Sequence, residues 1–389
     1  MKKLTTLALS LVLAVAAWAA SEKPTVKIGV ILPLSGNNSY TGEATRSAVR
    51  FFEQELSNAS HKNQYQFIFE DDQLTPRLTA QAVNKLINID KVSAVLTLSA
   101  GPGHVVAPIA QSKGVLHFAH TNDPKVAVGD YNFINYTPVA QQAKTTADML
   151  QAAGSAKIAL VAVRQHGIIA LVEALKPYLA QNGVTLHEGY FNPGERDFRV
   201  LLGKLKEKKP DTLYVMAFPP ECQIILNQQQ QLGMSELFTT TTVIFDYLED
   251  KSPVEGLFYV SGAAASKEFT DKYIAFAGHS PMFTEPFIYD SIDLLVKAFE
   301  AAEKPTSAQA LSHLKTLKEY TGSVGPIQIS PEGVLDTPAS VYRITDGRPH
   351  KVELQEVNRI PDKINAKGLG SLTKDEKETL DKAKDIPGK

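Results

Sequence analysis

Several polar, glycine-rich segments directly follow apolar runs in this sequence, and their residue types suit recognition of a small molecule. Hydroxyls, amides and free backbone N–H groups at the start of a helix bind carboxylates and similar anions. These residue types therefore indicate a binding site for a small polar or anionic molecule. The segments are residues 35–42, 99–104, 120–124, 164–167, 218–221 and 239–246.

The same segments also have purely structural interpretations. Ser35 and Gly36 can simply turn the chain, and no GxxxxGKS or GxxxxGKT pattern includes the glycines that follow Ser99. His120 is as consistent with a hydrogen-bonded structural histidine as with a ligand contact. His117 and His120 have no third ligand at a recognisable spacing, so the sequence predicts no metal site.

No catalytic motif stands out. The chain lacks a GxGxxG after its first apolar run and lacks GxSxG and HExxH, and its one cysteine is Cys222. A single cysteine excludes an intramolecular disulfide and a Cys-based zinc or iron–sulfur site. Cys222 follows Glu221 at a predicted helix start, which can lower a thiol pKa, but a lone cysteine there is more often a buried apolar filler. We expect no enzymatic activity and no cofactor.

The overall charge is nearly neutral: the 389 residues contain 40 Lys plus Arg and 42 Asp plus Glu, for a formal net charge of −2. Such a chain lacks the basic surface that supplies most of the affinity for nucleic acid, so no nucleic-acid partner is expected. At about 100–200 residues per domain, this length predicts two domains, each large enough to bury a core.

The first residues have the pattern of a secretory signal peptide. Met1–Lys3 is a short basic start, Leu4 to Ala17 is almost entirely apolar, and Ala17-Trp18-Ala19 places small residues at the cleavage-recognition positions. We expect residues 1–19 to be removed on export. The apolar run is shorter than the roughly 20 residues of a membrane span. No cysteine lies near the cleavage point, so neither a lipoprotein nor stable membrane insertion is expected.

Apolar runs and amphipathic segments alternate along the chain, which is typical of parallel sheets with right-handed crossovers. A first series predicts strands at 26–34, 66–70, 92–98 and 115–119, with helices at 42–58, 76–88 and 105–113. A second series predicts strands at 158–163, 185–191, 212–218, 237–241 and 257–261, with helices at 141–153, 168–181, 198–208 and 223–232. The remaining expected elements are a helix at 287–302, a hairpin at 341–354 and a helix at 373–383 in a charged tail.

Two such series predict an α/β protein with two doubly wound parallel-sheet lobes. Ligands of parallel sheets bind beyond the carboxyl ends of the strands. The segments that follow the strands should therefore line a cleft between the lobes.

Five segments carry a family resemblance: VKIGVILPLSG at 26–36, DDQ at 71–73 with Pro76, Ser99–Gly101 before APIA, NPGERDFRVLLGKLKEKKPD at 192–211, and Tyr289-Asp290 with residues 325–333. In this order they resemble the type I periplasmic solute-binding proteins of ABC importers, in particular the branched-chain amino acid receptor (Leu/Ile/Val-binding-like) group. The likeness extends over roughly residues 26–348.

The resemblance implies a periplasmic, monomeric receptor that captures a small amino acid or organic acid and delivers it to ABC transporter permease subunits. It also implies two lobes joined by a three-segment hinge that closes on the solute. The implied division is 24–137 plus 263–328 for the N-terminal lobe, 138–262 plus 329–355 for the C-terminal lobe, and 356–389 for a charged tail.

Carried over position by position, the resemblance implies that the solute carboxylate meets Ser99–Gly101 and Asn122, and that its ammonium meets backbone carbonyls near His120 and Thr121. The full set of expected ligand-binding residues is Tyr40, Ser99, Ala100, Gly101, His120, Thr121, Asn122, Gln165, His166, Phe218, Thr242 and Asp246.

Some of these positions depart from the family pattern. The acidic residue that usually pairs with the ammonium falls near the neutral Thr242, with Asp246 a few residues further on, and Ala100 stands where a serine is usual. An unpaired ammonium in a closed cleft costs several kcal/mol. We therefore expect an aliphatic or aromatic carboxylate, or an amide-like solute, to compete with a plain amino acid, with His120 and His166 helping to balance an anion. The alternatives are a ligand sensor that signals to a partner and, less favoured, an α/β enzyme.

Overall fold

The computed structural model describes residues 23–242, 248 and 250–357. These residues form two sheets flanked by helices. The strands are β1 Thr25–Leu32, β2 Gln64–Asp71, β3 Ala94–Leu98, β4 Leu116–His120, β5 Asn132–Asn135, β6 Lys157–Val163, β7 Thr185–Phe191, β8 Thr212–Met216, β9 Phe238–Thr241, β10 Phe258–Ser261, β11 Glu319–Gly322, β12 Gly325–Ile329, β13 Val334–Asp336, β14 Ser340–Thr345 and β15 Arg348–Val352. The helices are α1 Ser39–Ser57, α2 Pro76–Lys85, α3 Ala100–Lys113, α4 Val139–Ala152, α5 His166–Gln181, α6 Arg199–Lys206, α7 Glu221–Gln231, α8 Lys267–Ala277, α9 Glu285–Ala301 and α10 Ser307–Leu314.

The first sheet has eight strands in the order β11-β12-β13-β5-β4-β3-β1-β2. The strands from β13 to β2 pair in parallel, while β11 and β12 are antiparallel additions at one edge. Every residue of β3 is buried, because helices cover both faces of the sheet. This two-sided burial explains why the interior strands have continuous apolar runs in the sequence.

The second sheet has seven strands in the order β15-β14-β10-β9-β8-β6-β7. Strands β10, β9, β8, β6 and β7 are parallel, and the hairpin of β14 and β15 is antiparallel to them. Each sheet has its own apolar core, centred on residues such as Leu96 and Phe118 in one lobe and Val161 and Val215 in the other. The predicted architecture of two parallel-sheet lobes is confirmed.

The chain passes between the lobes three times, after β5, after β10 and after β13. The three connecting segments pack against each other. Oγ1 of Thr137 lies 2.7 Å from Oγ1 of Thr337, and both residues are buried. A methyl group on Gly262, in the second segment, would lie only 2.5 Å from Oγ1 of Thr137, so a larger residue there would force a shift. The predicted three-segment hinge is therefore a tightly packed joint.

One predicted lobe boundary is wrong. The sequence-based division places residues 329–355 in the C-terminal lobe, but β13 pairs with β5 in the first sheet. The chain returns to the second lobe only after Asp336. A three-residue strand is too short for its pattern to be recognised in the sequence.

Short elements account for the other differences. The prediction lacked β5, β11, β12, α8 and α10, and it began the helix after β3 at Val105 instead of Ala100. Pro102 suits the first turn of that helix, where its missing N–H needs no partner. A methyl group on Gly103 would lie 2.9 Å from Cγ1 of Val126, so this glycine permits close packing. The expected glycine-rich loop is thus the first turn of α3.

Three expectations lie outside the described residues: the signal peptide at 1–19, the tail helix at 373–383, and Asp246.

Candidate functional site

A cavity of about 160 Å³ lies between the two lobes, at the carboxyl ends of the parallel strands. Its lining comes from both lobes and includes segments that follow β3, β4, β6 and β9. The cavity is large enough for a small organic molecule, since a cavity of roughly 150 Å³ in another protein holds benzene. The predicted site residues that line it are Ser99, Ala100, His120, Thr121, Asn122, Gln165, Phe218 and Thr242.

Three predicted site residues do not line the cavity: Tyr40, Gly101 and His166. Tyr40, near the start of α1, is partly buried, and its pKa is raised first by burial and then by the nearby charge of Glu221 in the other lobe. His166 is the first residue of α5, and a methyl group on Gly101 would lie 3.9 Å from its Nδ1. These residues contact the opposite lobe beside the cavity.

Two helices from opposite lobes begin at the cavity. Ser99 precedes the first residue of α3, and Gln165 precedes the first residue of α5. The first N–H groups of a helix have no partner within it, and they carry a partial positive charge equivalent to about half an elementary charge. The two helix starts together form a cradle suited to an anion.

Ser99 has a strained backbone, with φ of 79°. The strain is held by hydrogen bonds on both sides: its N–H donates to the carbonyl of His120 at 3.0 Å, and its carbonyl accepts from the N–H of Gly103 at 3.2 Å. Strain of this kind persists where the surrounding structure fixes it, which is frequent at binding sites. The hydrogen bond from the N–H of Ser99 also occupies one lone pair of the His120 carbonyl. The family resemblance implies that a carbonyl near this position binds the ammonium of the solute.

Asn122 brings the two lobes together at the side of the cavity. A methyl group on Gly167 of α5 would lie 3.3 Å from Oδ1 of Asn122, so a glycine allows this close approach. The backbone carbonyl of Asn122 accepts from the N–H of Val139, the first residue of α4. Asn122 also lines the cavity, beside the first turn of α5.

The described lining of the cavity carries no formal charge, because it contains no Asp, Glu, Lys or Arg. His120 is buried, and burial lowers its pKa to about 4. Its Nδ1–H donates to the carbonyl of Asn135 at 3.1 Å, which leaves Nε2 as a hydrogen-bond acceptor. His120 is therefore neutral at pH 7, and the expectation that it balances an anion by its charge is wrong.

Aromatic rings form one wall of the cavity. The ring centroid of Tyr136 lies 5.0 Å from that of His120 and 6.1 Å from that of Phe283. Phe218 lines the cavity from the other lobe. Such surfaces favour a flat or branched apolar body by burying its area.

His117 is a structural residue of the first lobe. Its Nδ1 lies 2.8 Å from Oδ1 of Asn132 and its Nε2 lies 2.9 Å from Oγ1 of Thr97, so both ring nitrogens are paired inside the core. Burial lowers its pKa to about 4. The described residues contain no group of three or more His, Cys, Asp or Glu placed to hold a metal ion.

Both buried histidines make stability depend on pH. We expect the free energy of unfolding to fall as the pH decreases from about 6.5 to 4, because the unfolded chain then takes up protons that the folded chain excludes. The loss is roughly 3 kcal/mol for each histidine, and no loss is expected from them above pH 7. Urea titrations at several pH values measure it. His117→Asn should flatten the dependence, whereas the exposed His350→Asn should not; equal slopes in the wild type and His117→Asn would contradict the assignment.

Cys222 is buried in the second lobe, not poised for chemistry. Its Sγ lies 3.6 Å from Oγ1 of Thr241, and burial raises the pKa of the thiol to about 11. A thiol in this state is protonated at neutral pH and is a poor nucleophile. Cys222 is therefore an apolar filler of the core and not a thiol with a lowered pKa.

Several lining residues were missed by sequence reasoning. They lie within strands and helices, in the connecting segment after β5 or in the segment before α9: Tyr136, Gln142, Thr146, Tyr214, Val260 and Phe283. Residues in the middle of an element follow the same spacing as core residues, so the pattern alone does not separate the two. The only available signal was the occurrence of polar side chains such as Thr146 at inward-facing positions.

Two sheet lobes that enclose a cavity at their hinge define a solute-binding protein. The periplasmic binding protein family model matches residues 25–349, and the chain belongs to this family. Its members bind solutes and are not enzymes, which confirms the prediction of a non-catalytic chain. A family of unknown function matches residues 350–383. No helix within the described ranges is long and apolar enough to cross a bilayer.

Curated relatives are distant in sequence. The chain is 23% identical over 347 residues to the Leu/Ile/Val-binding protein BraC3 of Rhizobium johnstonii, covering 83% of this chain and 92% of that protein. It is 23% identical over 227 residues to the Leu/Ile/Val-binding protein homolog 3 of Brucella melitensis. That match covers 57% of this chain and only 62% of the Brucella protein.

Solved structures share the fold. A leucine-binding protein from Thermotoga maritima superposes with a TM-score of 0.79 at 21% identity, covering 84% of this chain and 98% of that chain. A solute-binding protein of an ABC transporter from Rhodopseudomonas palustris, in complex with 3,4-dihydroxybenzoic acid, superposes with a TM-score of 0.75 at 21% identity. The superposition covers 85% of this chain and 96% of that chain.

Proposed function

We propose that this protein captures a small carboxylate with an otherwise uncharged body and delivers it to the permease of an ABC transporter. The observation that carries the proposal is the charge distribution of the cavity. Two helix starts from opposite lobes face it, and the described lining has no charged side chain. This arrangement favours one anionic group, which the helix starts neutralise, over a zwitterion.

The position of Thr242 supports this choice of solute. In the branched-chain amino acid receptors that the sequence resembles, an acidic residue near this position pairs with the ammonium. Thr242 is 8% exposed, and its Oγ1 has no hydrogen-bond partner among the described residues. An ammonium placed there would meet a hydroxyl and no carboxylate of the described lining, and an unpaired buried charge is strongly unfavourable.

The structural neighbours support both candidate classes of solute. One is a leucine-binding protein, and another holds an aromatic acid. Aromatic rings and a volume near that of a benzene site suit the second class at least as well. The signal-like N-terminus and the family of periplasmic binding proteins support capture outside the cytoplasm.

Leucine and 4-methylpentanoate form a matched pair for the test, because they differ only in the ammonium group. We expect 4-methylpentanoate or benzoate to bind at least tenfold more tightly than leucine in calorimetric titrations. Binding at a hundredfold excess over Kd also stabilises the folded protein by about 2.7 kcal/mol, which a thermal-shift assay detects. Tighter binding of leucine than of 4-methylpentanoate, or no binding of any acid, would overturn the proposal. Stimulation of ATPase activity in a reconstituted transporter tests delivery.

A further inference from the structure

The cavity extends from the helix starts into the second lobe, where it meets hydroxyl groups. Thr146 lies in the middle of α4, Tyr214 lies in β8, and Thr242 follows β9. All three line the cavity, and their exposed fractions are 1%, 3% and 8%. None of them was predicted from the sequence except Thr242, and the proposed function does not use Thr146 or Tyr214.

The register of the second sheet fixes their relative depth. Tyr214 pairs with Thr240 across β8 and β9, so Tyr214, Thr240 and Thr242 point to the same face of the sheet. Thr242 is two residues nearer the carboxyl edge, about 6–7 Å at 3.3 Å per residue. Tyr214 is therefore deeper in the lobe than Thr242 and further from the helix starts at the cleft.

Two of these hydroxyls lack a hydrogen bond of normal geometry to the described residues. Oγ1 of Thr146 and Oγ1 of Thr242 are buried, and neither has a hydrogen bond of normal geometry to any described residue. Burial raises the pKa of Tyr214, and a hydrogen-bonding interaction with the neighbouring Thr146 hydroxyl lowers it, although the contact does not have the geometry of a normal hydrogen bond. Native proteins rarely bury polar groups without partners, and valine would fill the volume of Thr146 equally well. A hydroxyl retained at such a position suggests a partner supplied from the cavity.

We infer that Thr146 and Tyr214 form a second polar subsite, which binds an uncharged hydroxyl or carbonyl group at the end of the solute remote from its carboxylate. This inference rests on the proposed function and narrows its solute class to hydroxy or oxo carboxylic acids. A plain hydrocarbon acid offers these buried hydroxyls no hydrogen-bond partner in the cavity. A dicarboxylate brings a second charge to a described lining that has no cation.

Two matched pairs of probes test the subsite: benzoate with 4-hydroxybenzoate, and hexanoate with 6-hydroxyhexanoate. We expect the hydroxylated member of at least one pair to bind the wild type about tenfold more tightly, as one additional hydrogen bond provides. Tyr214→Phe and Thr146→Val remove a hydroxyl with little change in volume, and each should bring that ratio to within about twofold. Tyr178→Phe is the control, since Tyr178 lies in α5 of the same lobe but outside the cavity lining.

Thr146→Val provides a second measurement without solute. Because the Thr146 hydroxyl has only a weak interaction with Tyr214 and no hydrogen bond of normal geometry to the described residues, its removal should not lower the melting temperature of the solute-free protein. Equal affinities within both pairs, or a preference that survives in both variants, would overturn the subsite while leaving the proposed function intact. Failure of every acid to bind would instead overturn the proposed function itself.

Discussion

Thr242→Glu should reverse the solute preference of the protein, from the anion benzoate towards the zwitterion leucine. In this variant we expect benzoate to bind at least a hundredfold more weakly, because the new carboxylate lies at the cavity that receives the anionic solute. An uncompensated buried charge costs about 3–5 kcal/mol, which corresponds to more than a hundredfold in affinity. Leucine should gain about tenfold or more, since its ammonium acquires an opposite charge. Calorimetric titration of both solutes measures the exchange.

Thr242→Gln is the control for this experiment, because it has nearly the size of glutamate without its charge. It should weaken benzoate far less than Thr242→Glu and should give leucine no comparable gain. If Thr242→Glu binds benzoate like the wild type, Thr242 does not face the bound solute. Our proposal that the lack of a charge at Thr242 makes the cavity prefer an anion over a zwitterion would then be wrong.

Gly262→Ala should disturb the joint between the lobes. The added methyl group would lie 2.5 Å from Oγ1 of Thr137 and 3.1 Å from Cζ of Phe287, so the connecting segments must move apart. We expect the free energy of unfolding to fall by about 1–3 kcal/mol, as is typical of overpacking. We also expect affinity for the proposed solutes to fall about tenfold, because a smaller fraction of molecules reaches the closed form. Urea denaturation and calorimetry measure the two effects.

Two further variants separate steric clash from a general effect of removing a glycine. Gly203→Ala places a methyl group within helix α6 with no atom closer than 4 Å, and should leave stability unchanged or slightly higher. Thr137→Ala, combined with Gly262→Ala, removes the oxygen that the new methyl group meets and should restore part of the lost affinity. Unchanged affinity in Gly262→Ala would show that the joint does not limit closure.

The part of the site that could be predicted is the part that depends on strand ends. Ser99, Asn122 and Gln165 were found because each follows a buried parallel strand, and such strands place their carboxyl ends at one edge. Whether a residue near that edge lines the cavity or contacts the other lobe depends on its local direction, as His166 and Tyr40 show. The spacing of residues in the sequence does not show whether a side chain points into the cavity or towards the opposite lobe.

The part that could not be predicted lies within regular elements. Thr146 and Tyr214 occupy inward positions whose spacing is that of core residues, and only the folded lobe shows that a cavity reaches them. The lobe boundary failed for a related reason, because β13 is three residues long and is recognised only by its pairing with β5. A long, buried strand such as β6 could be predicted because its continuous apolar run in the sequence matches its continuous burial in the sheet.

The absence of charged side chains from the described cavity lining also bears on how the protein behaves as its surroundings change. At ordinary salt concentrations, mobile ions largely screen the attraction between exposed charges that are more than about 8–10 Å apart, and they screen groups enclosed by protein much less. Here the attraction for an anion would come from backbone dipoles that become enclosed when the lobes meet. Retention of the solute should therefore vary little with ionic strength, which suits a receptor working in a compartment whose salt content follows the external medium.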